Sequence, residues 1–70
     1  MIVYVAATAG DADRVARLFD DAGIAYSERL DAALAETEGR VCYLGTVFEV
    51  DAGIAERCRQ LLRDEGYEPV

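Results

Sequence analysis

The sequence predicts an α+β domain of two layers, in the order strand, helix, strand, strand, helix, and two observations carry the prediction. Residues 13 to 24, DRVARLFDDAGI, and 56 to 67, ERCRQLLRDEGY, follow one pattern: an acid, an Arg, an apolar position, a later apolar pair, an acid, and a Gly before another apolar residue. Each stretch also follows a short apolar, β-prone run, so two amphipathic helices with matching stripes are set to pack on a sheet. Seventy residues make one domain, 1–70, and a chain this short buries only about 60% of its unfolded surface.

Ile2 to Ala7 is apolar, with β-branched and aromatic residues, and reads as a central strand bounded by the small residues of TAGDA. Asp11 is expected to cap the first helix, whose inward stripe is Val15, Leu18, Phe19 and Ala22, and Gly23 supplies its left-handed stop. Ile24 to Leu30 then forms a second strand. Asp31 to Gly39, acidic and alanine-rich without an apolar stripe, reads as a loop or a single helical turn.

Arg40 to Val50, RVCYLGTVFEV, is β-prone, and Gly45 divides it, so it forms one bent strand or two short ones. Asp51 is placed to cap the second helix. Its stripe is Ile54, Ala55, Cys58, Leu61 and Leu62; Gly66 ends it and Pro69 prevents continuation. Tyr67 to Val70 is left as a possible stub of a last strand. This order matches a split βαβ, ferredoxin-like sandwich with both helices on one sheet face.

Period two then divides the sheet. Val3, Val5, Phe48 and Val50 are expected to face the helices, and Ile2, Tyr4 and Val47, with Tyr26 and Tyr43, fall to the opposite face. Tyrosine suits a contact surface because its ring buries area while its hydroxyl keeps a polar contact. With 53% hydrophobic residues in so small a body, that face is the expected surface for a homodimer, a protein partner or a small ligand. The acidic loop folding over it is the structural alternative.

Charge and residue types narrow the function classes. A net charge of −7, with every basic residue an Arg, argues against nucleic acid, which requires a basic face, and against anionic membranes. The apolar N-terminus has no basic leading region, which fits a strand better than a signal peptide, and a cytoplasmic location is expected. No His or Lys is present, so His-dependent triads, Schiff-base lysines and the P-loop lysine are excluded. Cys42 and Cys58 lack metal-ligand spacing and define no disulfide framework; Cys58 sits on the apolar stripe as a small hydrophobe. No metal, cofactor or catalytic residue is therefore expected.

Two weaker features remain. Thr8, Ala9, Gly10 and Asp11 form a small-residue turn before a helix, where outward N–H groups could cradle an anion, although the adjacent acids oppose one. Asp11 and Asp13 are the most defensible carboxylates for a small enzyme, with capping or solvated roles as the simpler explanation.

DADRVARLFDDAGIAY, a variable middle, and VFEVDAGIAERCRQLLRDEGY together resemble the prokaryotic family described as signal transducing proteins of unknown function, most closely at the phrases Asp21 to Ile24 and Val47 to Leu62. The resemblance implies a fold similar to PII-like members of the ferredoxin-like group and a role in regulation or binding, with no catalytic residues to carry over. The expected function is a small non-enzymatic regulatory or binding module, homo-oligomeric with a dimer favoured. A structural interaction domain for a larger partner and a carboxylate-based enzyme are the alternatives.

Overall fold

The computed structural model describes residues 1–31, 36–37, 40–41 and 45–70. Strand β1 (Ile2–Ala6) leads to helix α1 (Ala9–Asp21) and strand β2 (Ser27–Asp31). Two short strands follow, β3 (Glu36–Thr37) and β4 (Arg40–Val41), and then β5 (Gly45–Glu49), a 3₁₀ turn at Ala52–Ile54 and helix α2 (Ala55–Asp64). The chain is thus α+β, with a three-stranded antiparallel sheet in the order β1-β5-β2 and two helices. Among the described residues, strands β3 and β4 pair with each other and not with the three-stranded sheet.

The middle of the chain departs from expectation in part. Of the two expected forms of Arg40–Val50, the structure has the two short strands, and they belong to different ladders. Glu36–Thr37, inside the expected loop, is itself a strand. A two-residue strand is too short to show a period, so nothing in the residue pattern could announce this hairpin.

The buried faces and the stops of the two helices repeat each other. Ala12, Val15 and Phe19 are buried on α1, and Ala55, Cys58 and Leu62, each 43 positions later, are buried on α2. Both helices end in the same Schellman arrangement. Gly23, at φ +70°, donates to the Asp20 carbonyl and Ile24 to the Phe19 carbonyl; Gly66, at φ +88°, donates to Arg63 and Tyr67 to Leu62. Glycine adopts this left-handed conformation without the penalty a Cβ would bring.

The helix starts differ from expectation. Thr8, not Asp11, caps α1: its backbone is extended and its Oγ1 accepts the Asp11 N–H at 3.1 Å. Asp11 therefore lies inside the first turn. Asp51 makes no side-chain capping bond, and the chain enters α2 through the 3₁₀ turn, where the Ile54 N–H donates to the Asp51 carbonyl.

One cluster joins both helices to the sheet: Val3, Tyr4, Ala6, Phe48 and Val50 from the β1 and β5 side pack with the six helix residues and Ile24. The division of faces along β1 is not the expected one. Ile2 pairs with Glu49 and Tyr4 with Phe48, so β1 advances two residues while β5 advances one. This bulge at Val3 moves Tyr4 to the helix side and leaves Val5 opposite Val47, outside the helix-side cluster. The C-terminal stub forms no strand, but the Val70 N–H donates to the Val3 carbonyl at 2.9 Å, along the outer edge of β1.

Candidate functional site

The candidate residues Tyr4, Thr8, Gly10 and Asp11 meet where β1 enters α1. The bulge turns the Tyr4 ring under the helix, where it is 8% exposed and packs against Phe48 and, edge-on, against Tyr67. Its hydroxyl donates to Asp11 Oδ2 at 2.5 Å, and Asp11 Oδ1 lies 3.8 Å from Arg14 Nη2. Burial, and then the bond to Asp11, push the Tyr4 phenol well above its ordinary range. A β-carbon on Gly10 would meet Arg14 Nη1 at 3.5 Å, an ordinary contact, so Gly10 is not there to make room.

This corner is a latch between strand and helix. Thr8 occupies the Asp11 N–H, and the Asp11 carboxylate supplies negative charge to the positive end of the helix dipole. An incoming anion would meet that carboxylate. Asp13 points elsewhere and pairs with Arg17 at 3.4 Å on the exposed side of α1, so the two acids do not converge.

Tyr26 and Val47 are elsewhere, and not on one face. Tyr26 joins the helix side, its ring 5.5 Å from Phe19 and 5.8 Å from Phe48, with its hydroxyl donating to the Ala16 carbonyl at 3.4 Å. Burial and the nearby Asp20 raise its phenol. Tyr26 also borders an open hollow of about 350 Å³ with Met1, Ser27, Glu49 and Asp51. Val47 does lie on the opposite face, between Val5 and Arg29, but it is only 1% exposed. The expected contact face is therefore corrected for Tyr4 and Tyr26, which lie on the helix side, while Val47 lies on the face expected for it; Tyr43 lies outside the described residues.

Two further places have the shape to meet another molecule. A groove of about 390 Å³ lies between the helices, lined by Ala22, Ile24, Arg57, Gln60, Leu61 and Asp64. The other is the outer edge of β2. Met1 and Val50 exchange backbone bonds, N–H to carbonyl at 2.8 and 2.9 Å, so Val50 turns toward β1. Alternation turns Phe48 and Thr46 the same way, and Glu49, Val47 and Gly45 toward β2. The backbone groups of their partners Ser27, Arg29 and Asp31 face inward, while the N–H and C=O groups of Glu28 and Leu30 face the outer edge, where no other described strand pairs. Leu30, beside them, is 62% exposed.

Sequence reasoning passed over this edge. A signal was present, since a split βαβ order places the second strand outermost, and Leu30 stands alone among polar neighbours in SERLD. Among the described residues no three Cys, Asp or Glu side chains are grouped to hold a metal ion, and no helix is long and apolar enough to cross a membrane. Cys58 is a free, buried thiol, and burial pushes its pKa up.

The fold and these surfaces define a two-layer α+β chain with a latched helix start and a β2 edge that pairs with no other described strand. No protein-family model, curated protein or solved structure matches it.

Proposed function

We propose that this chain is a small, non-enzymatic binding module of ferredoxin-like fold that acts in the cytoplasm by recognising protein, and that it self-associates. The observation that carries the reading is the outer edge of β2, which pairs with no other described strand and where backbone donors and acceptors lie beside the 62%-exposed Leu30. An exposed strand edge is a template for another strand. The strand order supports the fold, because β1 and β5 sit as the inner pair of a split βαβ unit and Val70 touches β1 where a fourth strand would lie.

A regulatory role similar to that of the PII-like signal transducing family accords with the same order and with the Asp21 to Ile24 helix stop. The binding role is favoured over a carboxylate enzyme because Asp11 is engaged by Tyr4 and Arg14, and Asp13 by Arg17. Sedimentation velocity across a wide concentration range tests self-association. The expected result is a species at a multiple of the 7.6 kDa chain mass; a single 7.6 kDa species at every concentration contradicts it.

A further inference from the structure

The outer edge of β1 differs from that of β2 in having an occupant. Phe48 and Thr46 bond toward Tyr4 and Ala6, so the Val3 carbonyl and the backbone groups of Val5 turn outward. Residues 67–70 lie along this edge. The Val70 N–H donates to the Val3 carbonyl at 2.9 Å, the Val70 carbonyl accepts from Arg59 Nε at 2.9 Å, and the Tyr67 ring meets Tyr4 edge-on with 5.6 Å between centroids.

The two sides of this contact are unequal. The receiving side is set in advance: Tyr4 is buried, and Arg59, its side chain 19% exposed, is steadied by a bond from Nη1 to Glu56 Oε1 at 2.9 Å. The segment itself is held loosely. Glu68 and Val70 are exposed, the Arg59 bond to Val70 lies at the surface, and none of the four side chains is fully buried. Few buried contacts and exposed backbone bonds put such a segment at the low end of local stability.

We propose that the outer edge of β1, with Arg59 as its fastener and Tyr4 as its aromatic contact, is a docking site for an extended peptide, and that residues 67–70 fill it in cis. The ligand class follows from the contacts: an aromatic side chain and, three residues later, a residue that offers both its N–H and its C=O. This is strand addition to a sheet edge. Release of the segment uncovers Val3 beside Val5, whose groups already face outward with no described strand on that side. A peptide added in trans competes with the joined segment, whose effective concentration is on the order of millimolar. Self-association plays no part in this.

The experiment follows backbone amides by NMR in the full chain and in Val70→Pro, which removes the N–H held by Val3 and leaves Arg59 in place, as a capped peptide of residues 65–70, EGYEPV, is added. The expected result is a Val70 amide whose exchange is slowed at least tenfold in the parent, and peptide-induced shifts at Val5 that need at least tenfold less peptide in Val70→Pro than in the parent. Adding Arg59→Gln to Val70→Pro should abolish those shifts, with the Tyr67 amide, bonded to the Leu62 carbonyl, still protected as a sign that the helix stop is intact. An equal response in parent and Val70→Pro, no response in Val70→Pro, or an undiminished response without Arg59 each overturns the site. A freely exchanging Val70 amide in the parent overturns its occupation in cis.

Discussion

Tyr4 ties β1 to α1 through its bond to Asp11. Its hydroxyl bond to Asp11 is a neutral donor meeting a charged acceptor at a partly buried site, so Tyr4→Phe is expected to cost about 1–2 kcal/mol in chemical denaturation. The raised phenol adds a pH signature. A folded-state pKa above the unfolded value means that the protonated form is favoured in the fold, so this stability is complete below about pH 10 and is lost as pH climbs beyond it. Denaturation midpoints should therefore fall above pH 10 in the parent, and fall less steeply in Tyr4→Phe. An identical alkaline loss in both would remove Tyr4 as its source. Cys58, buried and with its thiol raised, should ignore thiol reagents in the folded Cys42→Ser chain and react on unfolding; prompt labelling of the folded protein would contradict its placement.

At the scale of elements, the helices and their stops were legible in the sequence, and the faces of β1 were not. The stripes through Val15 and Phe19 and through Cys58 and Leu62 carry a helical period, and Gly23 and Gly66 mark stops by their chemistry. A one-residue bulge has no such mark. It reassigned Tyr4 to the helix side, which dissolved the expected tyrosine face, while Tyr26 followed the parity of an edge strand that actually begins at Ser27. The Thr8 cap was readable as chemistry, but Asp11 was an equally good capper, and only the extended backbone at Thr8 decides between them. Thr8→Ala should thus cost about 1 kcal/mol, and Asp11→Ala should act mainly through the loss of its Tyr4 partner. Gly23→Ala and Gly66→Ala, at equivalent stops, are each expected to cost about 1–2 kcal/mol from the left-handed backbone alone. Open space around both positions leaves sterics out of the comparison, so a large inequality between the two would mean that the stops are not equivalent.

For the whole molecule, one cluster binds two helices to one side of a three-stranded sheet, and the groups left to meet a partner lie mainly at its rim. The outer edge of β1 carries the Val70 contact, whereas the outer edge of β2 keeps Glu28 and Leu30 turned outward. A net charge of −7 on so small a body keeps indiscriminate association down, and the self-association proposed above would run through the edge of β2. The most direct test is amide hydrogen exchange at Leu30 as a function of protein concentration. The Arg29 amide, bonded within the sheet, should be protected throughout, while the Leu30 amide should be protected at high concentration and exchange freely on dilution. A Leu30 amide that exchanges equally fast at every concentration would contradict recognition through this edge.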